Sequence, residues 1–183
     1  MKKYISILAI IISALCIISC DDYLEEDVET FVEEEVVFTT EEGLESAING
    51  LYASYAGPAY HGSSIHTFIA PVSGKFFSNQ GASADATGLN TLPNNTWLTR
   101  MWPQMYSTIN VANIIIDNIE GSSLPNKDRA LGEAYFIRAA TYFDLVRYFG
   151  GVPMKITPAT IEDLNTPRSS KEEIYDLVIA DFE

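Results

Sequence analysis

Residues 126–153 read NKDRALGEAYFIRAATYFDLVRYFGGVP. Leu131, Tyr135, Arg138, Tyr142, Leu145 and Phe149 recur at alternating steps of four and three, which places them on one face of a helix. Ala134, Phe136, Ile137, Ala139, Ala140, Phe143 and Val146 fill much of the remaining circumference, and a helix apolar nearly all round is buried on several sides. Asn126 can cap the start of this helix. Gly150-Gly151 supplies a left-handed C-cap, and Pro153 bars continuation. Gly132 reads as a point of close helix approach. Arg138 lies among apolar side chains and needs a partner if it is buried. Glu133 is a poor candidate, because residues five apart point about 140° away from each other on a helix.

The flanking segments repeat the helical pattern. Thr39 with Glu42 has capping-box spacing, and Leu44, Ala47, Ile48, Leu51, Tyr52 and Tyr55 then share a face until Gly57-Pro58. Trp102, Met105, Tyr106, Ile109, Ala112, Asn113, Ile116 and Ile119 form another stripe ending at Gly121. Pro103 fits poorly inside a helix, so the expected start lies just before it. Val152 to Pro167 is a Pro/Thr connector. Ser169 with Glu172 and Ser170 with Glu173 are overlapping capping boxes ahead of Ile174, Leu177, Val178 and Phe182. The expected fold is all-α. The last apolar helix stops at Glu183 without a cap, so the chain reads as truncated; a naturally short C-terminal helix is the alternative.

The opening of the chain has a different character. Met1-Lys2-Lys3 precedes an apolar run from Tyr4 to Ile18, too short for the ~20 residues of a membrane-spanning helix but laid out as an export signal. It ends in Ile17-Ile18-Ser19-Cys20, which resembles the bacterial lipobox. Cleavage before Cys20 and acylation of its sulfur and freed amine would anchor the protein, each buried CH₂ adding about 0.8 kcal/mol. An uncleaved anchor with an incidental cysteine is the alternative. The only cysteines are Cys16 and Cys20, so a lipidated mature chain keeps no thiol for catalysis or zinc. Residues 1–19 are thus expected to be a lipoprotein signal and 20–38 an acidic tether. Residues 39–183 are expected to be a helical domain that is incomplete at its C-terminus.

Charge narrows the partners. The chain carries 25 acidic against 11 basic side chains, a net charge of −14, and phosphate binding needs clustered Lys and Arg, so nucleic acid is excluded as a partner. The acids after Cys20 serve as a solvated linker; acids directly after a lipidated cysteine also resemble the surface address of some Gram-negative lipoproteins.

Residues 57–98 form a long polar insertion. Of its 42 positions, 21 are Gly, Ser, Asn, Thr or Pro, and only Lys75 and Asp85 are charged. Loops of this length in compact domains are functional or disordered. Neutral amides beside aromatic faces suit sugars, whose C–H faces stack on rings and whose hydroxyls need uncharged donors and acceptors. Trp97 and Tyr60, with Asn94 and Asn95, are therefore the candidate ligand-binding residues, while Phe68, Phe76 and Phe77 read as plugs that hold the insertion to the core. Nothing points to catalysis or a cofactor. His61 and His66 are the only histidines and have no evident third metal ligand. Ser63, Ser64 and His66 are too close together to define a nucleophile, base and orienter.

The stretch Gly132-Glu133-Ala134-Tyr135-Phe136-Ile137-Arg138-Ala139, with the continuation Tyr142 to Phe149 and the closing Phe149-Gly150-Gly151-Val152-Pro153, resembles the SusD/RagB family of outer-membrane lipoproteins. Four further features are similar to that family: Cys20-Asp21-Asp22-Tyr23-Leu24, Ala47 with Asn49-Gly50 and Tyr52, the helix bearing Trp102, Tyr106, Ile109, Ala112 and Asn113, and Arg168-Ser169-Ser170 before Ile174-Tyr175. The resemblance implies tetratricopeptide-like helix pairs with long irregular loop insertions. It also implies a lipid-anchored, surface-exposed position in the outer membrane. The partners it implies are a SusC-like TonB-dependent transporter and an oligosaccharide or, in some members, a peptide. It implies no catalysis and no cofactor. Family members are about three times longer, so this chain corresponds to the N-terminal portion. A helical-repeat adaptor whose ligand is another protein is the competing reading.

Overall fold

The computed structural model describes residues 37–74, 77 and 81–183. The signal, Cys20 and the tether up to residue 36 lie outside these residues, as do Lys75, Phe76, Ser78, Asn79 and Gln80. Six α-helices are described: α1 (Glu41–Tyr55), α2 (Ser64–Val72), α3 (Gly81–Thr87), α4 (Thr96–Ile119), α5 (Lys127–Phe149) and α6 (Lys171–Phe182). A 3₁₀ turn covers Ile161–Asn165.

The ends of the helices follow local chemistry, with shifts from the sequence expectation. The cap of α1 is Thr40 rather than Thr39: its Oγ1 accepts the Gly43 N–H at 3.1 Å. Asn126 stands at the N-cap of α5, but its Nδ2 donates to the Glu41 carbonyl instead, so the side chain joins two helices rather than closing one. At α6 only the second of the overlapping boxes forms. Ser170 accepts from the Glu173 N–H, and the Glu173 carboxylate accepts from the Ser170 N–H at 2.7 Å. Those hydrogen bonds hold the Glu173 carboxyl below its ordinary range.

α4 begins at Thr96, seven residues before Pro103 and well ahead of the expected start. Asn95 Oδ1 accepts the Trp97 N–H at 3.0 Å, and this cap nucleates two turns ahead of Pro103. The helix absorbs the proline at the cost of one backbone bond, because Pro103 has no N–H to give the Thr99 carbonyl. The polar insertion also holds more helix than its composition indicated. In α2, Ile65 and Phe68 point into the core, and Thr67 and Thr87 return their hydroxyls to the Ser63 and Ser83 carbonyls, so these hydroxyls are satisfied within the turn.

α4 and α5 form an antiparallel pair. The first half of α4 (Met101, Met105, Ile109) packs with the second half of α5 (Ala139, Tyr142, Leu145, Val146), joined by Ile174 and Val178 of α6. The second half of α4 (Ala112, Ile115, Ile116, Ile119) packs with the first half of α5 (Ala130, Ala134, Ile137) and with Leu44, Ile48 and Leu51 of α1. Phe38, the last tether residue, packs against this second cluster. Gly132 does not mark a close helix approach, since a Cβ built there meets nothing within 4 Å. Phe136 and Phe143, expected among the residues covering α5, are instead 52% and 38% exposed. Each meets an α6 ring at the edge of the pair: Phe182 at 5.6 Å and Tyr175 at 6.4 Å.

Candidate functional site

The segment after α5 is a strap laid across α4 and α5. Gly150 turns the chain with φ 74°, a left-handed value that side-chain-bearing residues rarely adopt. Gly151 is then forced by space, because a Cβ there would stand 2.4 Å from the Ser169 carbonyl oxygen. The Ser169 N–H donates to Val152 O at 2.9 Å, but no sheet continues from this contact. Side chains satisfy the strap's backbone in its place. Tyr106 donates to Pro153 O at 2.7 Å. Tyr142 donates to Lys155 O and accepts from Lys155 N. Asn113 donates to both Lys155 O and Thr157 O, and Asn110 Oδ1 accepts from Ala159 N. Burial pushes the Tyr142 phenol up to about 12, against the opposing pull of its Lys155 backbone bond and the nearby Arg138 charge. Burial also raises Tyr106.

Arg138 finds the partner that its sequence context demanded, 43 residues away. Nε and Nη2 donate to the two carboxylate oxygens of Asp181, each at 2.7 Å. Nη1 donates to Asn113 Oδ1 at 2.9 Å and to Ile156 O at 3.4 Å. One cation therefore ties α5 to α6 and, through Asn113, to α4 and the strap.

Between the strap and α4 lies a cleft of about 330 Å³ bordered by Trp102, Tyr106, Asn110, Lys155, Thr157 and Thr166. A second cleft of about 630 Å³ adjoins it on the other side of Trp102 and Pro103, walled by Leu92, Leu98, Tyr148, Phe149 and Arg168. Trp102 is the partition. Its ring meets Phe149 edge-on at 4.9 Å and Tyr106 at 5.1 Å, and the Arg168 guanidinium stands 5.9 Å from its centre. Arg168 Nη1 also donates to Gly151 O at 2.6 Å and Phe149 O at 3.3 Å, which covers carbonyls at the end of α5. The arrangement offers an aromatic wall with amides and hydroxyls beside it, the chemistry that a sugar ring uses.

The residues picked from sequence are scattered. Tyr60 is fully buried. Its hydroxyl donates to Asp144 Oδ2 at 2.8 Å, so the polar tip expected to meet a ligand is satisfied by an internal carboxylate. Burial, then the Asp144 charge, raises its pKa well above the ordinary tyrosine range. Asn95 is spent on the α4 cap and is 6% exposed. Trp97 is partly buried, with Nε1 donating to Ser83 Oγ at 3.0 Å and Arg100 over its ring at 5.8 Å. Asn94 is exposed beside it. Phe68 is buried as a plug, while Phe77 is 81% exposed. His61 packs against the Tyr55 and Tyr60 rings, with Nε2 3.3 Å from Asp144 Oδ2; His66 is exposed. In the sequence, Trp102, Tyr106 and Arg168 stand out only as helix stripe or family-like motif. The signal that marks them out is the proline beside Trp102 and the Pro/Thr connector returning over the same helix.

Comparison with known proteins agrees with this architecture. Residues 22–183 match the family model SusD-like_3, described as starch-binding associating with outer membrane. The chain is 34% identical to SusD-like protein P38 of Formosa agariphila, aligned along 100% of its own length but spanning 37% of that relative. It is 27% identical to a SusD-like protein of Bacteroides ovatus, over 96% of this chain and 33% of the relative. Among solved structures, a SusD superfamily protein of Bacteroides thetaiotaomicron superposes with a TM-score of 0.66 at 21% identity, over 76% of this chain and 35% of the other. A structure solved with a xylogluco-oligosaccharide gives 0.66 at 23%, over 75% and 28%. These likenesses establish the helical, tetratricopeptide-like fold. The match over residues 22–183 establishes that this chain belongs to the SusD-like family.

Proposed function

We propose that the protein captures oligosaccharides at the cell surface and passes them to a SusC-like TonB-dependent transporter, held to the outer membrane by lipid on Cys20. It acts by binding rather than by catalysis. The observation that carries this reading is the double cleft at Trp102, where an indole, a phenol, the amides of α4 and the hydroxyls of Thr157 and Thr166 converge. The family description, and a similar fold solved with a xylogluco-oligosaccharide, support it. Partly buried Trp97, in the first turn of α4, and exposed Asn94 just before the helix extend the proposed surface.

Calorimetric titration of the full-length protein with starch-type and xyloglucan-type oligosaccharides tests the reading. Saturable binding is expected, and Trp102→Ala is expected to weaken it by about 1–3 kcal/mol as a stacking platform is lost. Trp97→Ala measures the contribution of the second indole. Absence of binding across a broad glycan panel would contradict the reading. Cys20→Ser is expected to move the protein from the membrane fraction to the soluble one, and retention in the membrane would contradict the lipid anchor.

One observation favours a second reading, a helical adaptor with a protein ligand. Phe136, Phe143, Tyr175, Ile179 and Phe182 leave an exposed aromatic edge along α5 and α6. Capture of a protein by this edge, together with no affinity for any glycan, would decide for the adaptor.

A further inference from the structure

A third cleft, of about 350 Å³, adjoins the one beside Phe149. Phe68, Ile69 and Val72 of α2 wall it, together with Leu89 and Tyr148. Thr91 and Tyr148 border both this cleft and the second one, so a ligand seated against Trp102 has this space as its neighbour. The Arg147 guanidinium also borders it, 6.0 Å from the centre of the Tyr148 ring.

The walls of this cleft are carbon surface that the core does not absorb. Phe68 is buried, yet Val72, one turn further along α2, is 40% exposed. Leu89 is 74% exposed and has φ 53°. It stands in the left-handed position after α3, where the Leu89 N–H donates to Ala86 O and the Asn90 N–H to Asp85 O. Glycine or asparagine takes that position with little strain. Among the described residues Leu89 is the one side-chain-bearing residue with a positive φ. A leucine there strains the backbone, and at this exposure its side chain adds little to the core. What it does is give the cleft an apolar rim.

The hydroxyls of a sugar ring pressed on Phe68, Ile69, Val72 and Leu89 would lose water without gaining a partner from these side chains. A flat aromatic acyl group has no such cost: it can pack on the Phe68 and Tyr148 rings and on the branched aliphatic side chains, with the Arg147 cation beside its π face. An acetyl group fills only a small part of the space.

We infer that the third cleft is a subsite for an aromatic acyl ester carried by the glycan, with the sugar against Trp102 and the acyl ring between Tyr148, Phe68 and Leu89. This rests on the glycan-capture reading and adds a substituent to the ligand.

The test is calorimetric titration of the full-length protein with starch-type and xyloglucan-type oligosaccharides carrying one cinnamoyl ester, as separate regioisomers. Each is run beside its saponified parent and its acetyl counterpart. At least one cinnamoyl regioisomer is expected to bind about tenfold or more tightly than its parent, through buried apolar area and ring contact. Its heat-capacity change on binding should be more negative than the parent's. The preference should persist as salt is raised, since no charge pairing carries it. Leu89→Asn removes the apolar rim with a residue that tolerates the left-handed backbone, and Val72→Ser lowers the apolar wall at the exposed end of α2. Each should reduce the ratio of cinnamoyl to parent affinity, and the second keeps the test open if the first perturbs the turn.

Equal binding of cinnamoyl and parent forms, an equal gain from the acetyl ester, or a ratio unchanged in both variants would each overturn the inference. A ligand-free dimer in sedimentation that Leu89→Asn dissociates would also overturn it, by giving the cleft to a second copy of the chain. Parent glycans that bind with no gain from the ester would leave the capture reading standing. Absence of binding by any of these glycans, esterified or not, would remove both.

Discussion

Arg138 on α5 and Asp181 on α6 meet through two hydrogen bonds of 2.7 Å, with side chains only 6% and 5% exposed. Removing one partner of a buried pair leaves an uncompensated charge, which costs about 3–5 kcal/mol. Asp181→Ala is therefore expected to lower stability in urea denaturation by that amount. The double variant Arg138→Met with Asp181→Leu is expected to lose less, because no charge is then stranded. Equal losses in both would contradict this account of the pair. Because Arg138 also donates to Asn113 and Ile156, Asp181→Ala should loosen the strap and weaken glycan binding although Asp181 lines neither cleft.

Tyr142 predicts an alkaline limit. Its phenol is raised from the ordinary 10 to about 12, chiefly by burial. The unfolded chain gives up this proton near pH 10 and the folded chain does not, so rising pH favours unfolding. The stability contribution is complete below pH 10 and is lost between pH 10 and 12, by up to about 3 kcal/mol. The melting temperature should be level from about pH 8 to 10 and fall across that window. Tyr142→Phe should flatten part of the fall while lowering stability at pH 7 through loss of the Lys155 bonds. An unchanged slope in Tyr142→Phe would contradict this assignment.

Two glycines of the same family-like stretch should respond in opposite directions. Gly151→Ala places a methyl group 2.4 Å from a backbone oxygen, which no side-chain rotation relieves, so the strap must shift and binding at Trp102 should fall with stability. Gly132→Ala meets nothing within 4 Å and is expected to stabilise α5 by about 1 kcal/mol. Thermal melts of the two variants check both. Destabilisation by Gly132→Ala would restore the close-approach reading of that glycine.

The helical frame was legible because apolar periodicity records which faces are buried: the stripes of α1, α4 and α5 meet in two clusters as their spacing requires. Cap positions moved by a residue where neighbouring Thr or Ser side chains compete, as at Thr39 and Thr40. Polar side chains were harder to read, because their role depends on contacts across long sequence separations. Tyr60 has the residue type of a ligand platform, but Asp144, 84 residues away, takes its hydroxyl. Arg138 announced a need without naming Asp181. The clefts were hidden for the same reason: one exists only where residues 153–159 return over α4, and the other only where Leu92 and Arg168 meet Trp102 and Phe149.

The central claim is that ligand sits on Trp102. The chain has two tryptophans, so in Trp97→Phe the indole emission reports on Trp102 alone. This variant should be titrated with whichever of the starch-type or xyloglucan-type oligosaccharides binds by calorimetry. The account predicts a saturable change in emission with the calorimetric midpoint. Calorimetric binding with unchanged emission would place the ligand elsewhere and contradict it.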